Sequence, residues 1–278
     1  MSLSRLALET EARDQGRPVA EIRDALRRAL VVMRGAVERG LAGDLRSASG
    51  LVGGDAAKVG QSNKGPFSGT PFADVLARAL AVQEVNAAMG VIVAAPTAGG
   101  AGVLPAVLTG LAAARGIGDD ALVDALATAG LIGAVVADRA SLSGAEGGCQ
   151  AETGAAAGMA AGAATEMLGG TPAQVGHAVA LAQQGTLGLV CDPLGGLVEL
   201  PCVFRNATGS AIALAAVEMA LAGVEFAIPV DEVIDTMGEI GRSMDVRYRE
   251  TAGGGLAATP TGRRLARERL VRIKRAGQ

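Results

Sequence analysis

Large aromatic side chains are nearly missing from this 278-residue sequence, which has four Phe, one Tyr and no Trp. A core without them is filled by Ala, Gly, Val and Leu, so its elements must approach one another closely. Histidine occurs once, cysteine three times, and lysine only as Lys58, Lys64 and Lys274. Three cysteines in a chain of this length do not suggest a disulfide framework. Charged residues make up only 19% of the chain and the net charge is −3, which argues against a general nucleic-acid binder.

An N-terminal leader is not expected, since "MSLSRLALETEARDQGRP" has charges where a signal peptide carries its apolar run. A cytoplasmic, reducing location is the expectation. Residues 87–114 carry no charge, yet Pro96, Pro105 and a Gly99-Gly100-Ala101-Gly102 cluster interrupt them. No bulky apolar run reaches the ~20 residues that a bilayer requires, so two buried helices around a Gly-rich turn are expected instead. Alternating β-branched runs are nearly absent, and no period of 20–50 residues repeats.

What is present is helical periodicity. Val19, Ile22, Leu26, Leu30, Met33, Val37 and Leu41 recur at steps of three and four, with Arg and Glu opposite. Further helices are expected over about 71–93, 103–115, 119–139, 151–168, 171–184, 206–223, 231–243 and 262–275. Thr171, Pro172 and Gln174 combine an N-cap, a first-turn proline and a capping-box partner. Residues 42–70 lose periodicity and read as a long functional loop. The expected architecture is one mainly α domain spanning 1–278, built from closely packed Ala/Gly-rich helices with Gly-rich loops around a site. Segments 1–15 and 263–278 are expected to be peripheral. Residues 263–275 hold seven Arg/Lys against one Glu, the pattern of a solvated amphipathic helix or, second, a partner-docking one.

The cysteines follow the pattern C-x41-C-x10-C: Cys149, Cys191 and Cys202. Each adjoins residues that shape backbone rather than fill a core. Cys149 follows "SLSGAEGG" and opens a helical pattern, where the dipole favours a thiolate. Asp192 and Pro193 follow Cys191, and Pro201 precedes Cys202. By spacing alone, three buried small hydrophobes fit these positions best. A zinc site fits next but lacks a fourth ligand, because His177 falls with Gln174 and Gln184 on the polar side of its helix and reads as a surface residue. Three thiolates without a fourth protein ligand also suit a cubane iron–sulfur cluster with one open iron.

Long motifs then bear on the choice. "GAEGGCQAETGAAAGMAAGA", "GLVCDPLGGLVELPCVFRNA" and "NAAMGVIVAAPTAGGAGVLPAVL" closely resemble the iron–sulfur-dependent L-serine dehydratases, specifically the α chain of the two-chain type. "LVGGDAAK", "DEVIDTMGEIG" and "GGGLAATPTGR" extend the resemblance over about residues 15–265. It implies that Cys149, Cys191 and Cys202 hold a [4Fe-4S] cluster, and that L-serine becomes pyruvate and ammonia without pyridoxal phosphate. The open iron would act as Lewis acid on the β-hydroxyl.

The turns "PTAGGAG" and "SLSGAEGG" are the expected substrate cradle, through backbone N–H groups at Gly99 and Gly100 and the hydroxyls of Thr97, Ser141 and Ser143. Lys58 and Asn86 are further polar candidates. Arg205 suits either neutralisation of cluster charge or a surface ion pair, and Glu146 and Asp192 suit either catalysis or orientation of backbone. No general base is evident, so one from a β chain is expected, with L-serine and that chain as partners and a higher oligomer as an option. Membrane and nucleic-acid partners are not expected. A related β-elimination such as cysteine desulfidation, or a zinc-stabilised structural subunit, is the alternative.

Overall fold

A computed structural model describes the backbone of residues 1–276 and the side chains of residues 1–268. The centre of the fold is α8 (Ala155–Met167), whose sequence "AAAGMAAGAATEM" is buried along eleven consecutive residues from Ala155 to Thr165. A helix apolar on every face belongs inside, and this one is wrapped by α5 (Val103–Arg115), α6 (Asp119–Arg139), α9 (Pro172–Gln184) and α10 (Cys202–Leu221). Its neighbours come close because side chains are missing where they meet. A Cβ on Gly162 would stand 2.4 Å from Ile132 Cδ1 and 2.8 Å from Val179 Cγ2.

A second layer repeats the device. The helix α2 (Val19–Leu41) lies against α4 (Pro71–Ala87), and a Cβ on Gly40 would meet the Ala81 carbonyl oxygen at 2.2 Å. The expected helix over 71–93 therefore stops earlier, where Met89 takes a left-handed conformation (φ 62°) and the chain turns toward "PTAGGAG". Within the expected loop 42–70 a short helix forms, α3 (Asp55–Gly60). The buried carboxylate of Glu84 on α4 accepts its first N–H groups, from Gly54 (2.9 Å), Asp55 (2.6 Å) and Ala56 (3.0 Å). A helix this short depends on such a tertiary cap, which periodicity does not show.

The N-terminal segment forms α1 (Leu3–Gln15), which buries Leu8 and Ala12 against α2 and α6. Glu166 at the end of α8 fixes its start by accepting from the Leu3 N–H at 2.6 Å. On α9 the capping box of Thr171 and Gln174 forms as expected. His177, expected on the surface, is half-buried, and its Nδ1 accepts the Phe226 N–H at 3.2 Å. It ties α9 to the turn before α11 (Val230–Ser243).

The chain closes with α12 (Pro260–Ala276), and the apolar face expected there at Leu270, Val271 and Ile273 lies outside the described side chains. Among the described residues one helix, α6, is long and apolar enough by composition to cross a membrane, and half of its most apolar stretch is buried within this fold. Among the described residues there is no strand, only an isolated bridge between Cys191 and Arg249.

Candidate cysteine-lined active site

Each cysteine occupies a junction that its neighbours make rigid. Cys149 follows Gly148, which takes φ 75° and whose Cβ would strike Met244 Sδ at 2.7 Å and the Leu189 carbonyl oxygen at 2.9 Å. After Cys149 the chain makes a wide π-helical turn, Gln150–Gly154, before α8 begins. Gln150 is fully buried and clamps this turn from both sides: its Nε2 donates to the Met237 carbonyl (3.0 Å) and its Oε1 accepts the Gly188 N–H (2.9 Å). Turns of this kind re-aim side chains within a helix, often at functional sites.

Cys191 sits in extended backbone, its N–H bonded to the Tyr248 carbonyl at 2.8 Å and its carbonyl to the Glu250 N–H at 2.9 Å. Cys202 is the first residue of α10, four residues earlier than the periodicity places that helix. Between them the loop folds back on itself, Leu194 N–H to the Leu200 carbonyl at 2.9 Å. Glu199 anchors it by accepting the N–H (3.1 Å) and hydroxyl of Ser49, so the loop before α3 is attached to the cysteine loop.

All three thiols are buried, at 1%, 1% and 3% exposure for Cys149, Cys191 and Cys202. Thr153 Oγ1 lies 3.2 Å from Cys149 Sγ. The hydrogen bond from Cys191 lowers the Cys149 thiol to about 6 against burial, with help from Thr153 and the Arg205 charge. The same contact and burial push Cys191 far up, and burial with the nearby negative charges raises Cys202 to about 12. The protein alone thus stabilises one thiolate among three thiols. Ionising all of them requires added positive charge, as metal binding supplies. Among the described residues no three His, Cys, Asp or Glu side chains lie at the spacing of a single ion.

Facing the thiols is a carboxyl group that the motif contains but its cysteine overshadows. Glu152 is 8% exposed, and burial above all raises it to about 7. Its Oε1 accepts from the Thr97 hydroxyl at 2.6 Å, and its Oε2 lies 3.9 Å from Cys191 Sγ. Three glycines leave space for it. A Cβ on Gly99 or Gly144 would stand 2.7 Å or 2.6 Å from its oxygens, and one on Gly100 would meet the Glu152 carbonyl oxygen at 2.9 Å. A Cβ on Gly144 would also lie 3.3 Å from Cys191 Sγ, so the two Gly-rich turns meet at Glu152 beside the Cys191 thiol.

Thr97, Gly99 and Gly100 are therefore brought together beside Cys191. Ser143 takes the N-cap position of the short helix α7 (Gly144–Gly147), next to Gly144. Ser141 turns instead to Glu146, its Oγ donating to Oε2 at 2.6 Å. Asn86 braces the "PTAGGAG" turn from outside, with Nδ2 3.3 Å from the Ala98 carbonyl. Lys58 is exposed and paired with Asp55 at 2.7 Å. Asp192 serves backbone, accepting the Leu256 N–H at 2.6 Å, and it pairs with Arg205.

Asn206, one turn after Cys202 and fully buried, joins these parts. Its Oδ1 accepts the Gly102 N–H (2.9 Å), and its Nδ2 donates to the Gly99 (2.7 Å) and Cys202 (2.9 Å) carbonyls. A polar residue in an otherwise apolar helical stretch is the sequence signal for such a brace. Glu84 and Asn206 lie on such helices, whereas Glu152, between Gln150 and Thr153, and Glu199, in a loop, do not carry that signal.

The chain is similar to known proteins along most of its length. The chain is 51% identical over 245 residues to the probable L-serine dehydratase alpha chain of Bacillus subtilis, covering 86% of this chain and 80% of that one. It is 42% identical over 271 residues to the L-serine dehydratase alpha chain of Peptoniphilus asaccharolyticus, covering 95% and 91%. The L-serine dehydratase of Streptomyces coelicolor is 42% identical over 264 residues, which are 92% of this chain and 57% of that longer one. The family model described as the serine dehydratase alpha chain matches residues 1–257, and the chain belongs to that family.

Proposed function

We propose that this chain is the alpha subunit of an L-serine dehydratase, a lyase that converts L-serine to pyruvate and ammonia in the cytoplasm together with a beta chain. The observation that carries the reading is the meeting of three buried thiols with two Gly-rich turns around Thr97, Glu152 and Gly144. Family membership supports it, as do relatives whose names state that activity and chain type.

Cys149, Cys191 and Cys202 would hold a [4Fe-4S] cluster, because three buried free thiols near enough to act on one another's ionisation, without a fourth cysteine, match the donor set of a cluster with one open iron. When bound, that group supplies Lewis acidity toward the β-hydroxyl, which leaves as the Cα proton is removed. Arg205, beside Cys149 and ion-paired to Asp192, offsets part of the negative charge of the thiolates.

The chain's other residues orient the substrate. The Gly99 and Gly100 N–H groups donate to nothing else among the described residues and are the donors offered to a carboxylate, with the Ser143 hydroxyl opposite. Thr97 fixes Glu152, and Asn206 fixes the turn, so these donors are held before substrate arrives. The proton acceptor at Cα is assigned to the beta chain.

An anaerobic assay of serine-to-pyruvate conversion, with and without the beta chain, tests the reading. Expected are a brown protein with about four irons and four sulfides, and activity that Cys202→Ser abolishes. A colourless protein binding one zinc, inactive with the beta chain added, overturns it.

A further inference from the structure

Across α7 from Cys149 lies a cavity of about 330 Å³ that the reaction described above does not use. Ser141, Glu146, Arg242 and Arg249 line it, with Gly147 and Gly238 making room between α7 and α11. Neither guanidinium lies within ion-pair distance of a carboxylate among the described residues, whereas many other arginines of the chain do. Arg249 Nε is buried without an acceptor, a condition costly enough that native proteins rarely leave it unanswered. The Arg242 guanidinium folds back along its own helix, its Nη1 3.2 Å from where a Gly238 Cβ would be. On the other wall the Glu146 carboxylate is oriented by the Ser141 hydroxyl at 2.6 Å.

Two unpaired guanidiniums facing one carboxylate, in a cavity at the small end of ligand sites, match both ends of a small zwitterion. We propose that this cavity binds an α-amino acid, its carboxylate on Arg249 and Arg242 and its ammonium on Glu146. The position gives such a ligand leverage on the site. Gly147 is two residues from Cys149, and Arg249 is bridged to Cys191, so an occupant touches the segments that carry two of the three thiols. The ligand's chemistry follows from the cavity; that it is a second amino-acid molecule, distinct from the serine held at Gly99 and Gly100, rests on the serine dehydratase reading.

Calorimetric titration of the anaerobic two-chain enzyme with L-alanine, which keeps both charges and has no leaving group, tests this. One site is expected on the wild type, weakened at least about tenfold in Arg249→Gln and in Arg242→Gln and partly restored in Arg249→Lys. Glu146→Gln is expected to lose the preference for alanine over propionate. Thermal midpoints matching the wild type exclude misfolding of the variants. If the KM for serine rises in Arg249→Gln while the titration shows only one serine site, the cavity belongs to the catalytic site and the inference fails. An unchanged KM, with loss of a second serine site in the titration, assigns a second molecule. Unaltered alanine affinity in Arg249→Gln and Arg242→Gln overturns the inference. Failure of the wild type to form pyruvate overturns the proposed function and leaves the alanine titration standing.

Discussion

Arg205 Nη2 lies 2.8 Å from Asp192 Oδ1, and the two side chains are only 16% and 3% exposed. The contact is an ion pair rather than an aligned hydrogen bond at that oxygen. Arg205 Nη1 also donates to the Val190 carbonyl at 2.8 Å, and Asp192 Oδ2 accepts the Leu256 N–H at 2.6 Å. One buried pair thus fastens the helix of Cys202 to the extended segment of Cys191 and to the turn Gly255–Ala258. Removing one partner leaves the other charge buried, at a cost of about 3–5 kcal/mol. Arg205→Gln is accordingly expected to lower the unfolding free energy by about that amount and to retain less iron after anaerobic reconstitution. Arg205→Lys, keeping the charge but not the fork, should fall between. Wild-type stability and iron content in Arg205→Gln would refute this.

Asn206 supplies a second test, because its three hydrogen bonds join the "PTAGGAG" turn to Cys202. Asn206→Ala leaves a buried N–H and two carbonyls less well satisfied, a loss of about 2–4 kcal/mol. Because the Gly99 carbonyl is released, the KM for serine is expected to rise more than kcat falls. Asn206→Asp, which puts an acceptor against two carbonyls, should be worse than alanine in a denaturant titration.

The helices were legible because Ala- and Leu-rich faces recur at helical steps whatever the tertiary context, and the N-cap of α9 was legible because its capping box is local. Cys149, Cys191 and Cys202 were legible as the only thiols and through the long motifs around them. The short helix α3 was not legible, because Glu84, 29 residues beyond Asp55, caps it. The role of Glu152 was not legible either, since a glutamate three residues from a cysteine reads as surface until Gly99 and Gly144 are seen to enclose it. Ser141 and Ser143 looked equivalent in "SLSG", and only the fold turns Ser141 toward Glu146.

The cap of α3 predicts a local effect. Glu84→Gln keeps one acceptor oxygen where the carboxylate satisfies three N–H groups, a change of about 1.5–3 kcal/mol. Faster hydrogen exchange is expected over residues 54–60, with α8 unaffected. Uniform acceleration across the chain would contradict a local cap.

A pH effect follows from α2 and α6. Arg34 grips Asp119 with both terminal nitrogens, at 2.9 and 2.6 Å, and this hydrogen bonding holds the carboxyl below the usual carboxylate range. A depressed folded-state value means the pair stabilises above the unfolded value of about 4 and loses that contribution as pH falls through the folded one. Asp119→Asn should therefore lower the thermal midpoint slightly at pH 7, the pair being exposed. The two proteins should converge once the pH has fallen through the depressed folded-state value, and added salt should narrow the gap at pH 7. A gap that persists at low pH would assign the effect to packing.

Two Gly→Ala substitutions separate the site from the scaffold. At Gly40 the added Cβ would stand 2.2 Å from the backbone oxygen of Ala81, which cannot yield without parting α2 from α4. Overpacking of this kind costs about 1–3 kcal/mol or more, so Gly40→Ala should be destabilised throughout. At Gly99 the atoms nearest the added Cβ would be those of the Glu152 carboxylate, at 2.7–2.9 Å, a side-chain end that can rotate away. Doing so breaks its bond to the Thr97 hydroxyl and crowds Cys191. Gly99→Ala should keep the wild-type thermal midpoint and bind iron, yet lose most serine turnover. If it instead unfolds as readily as Gly40→Ala, the "PTAGGAG" turn is scaffold and not part of the substrate cradle.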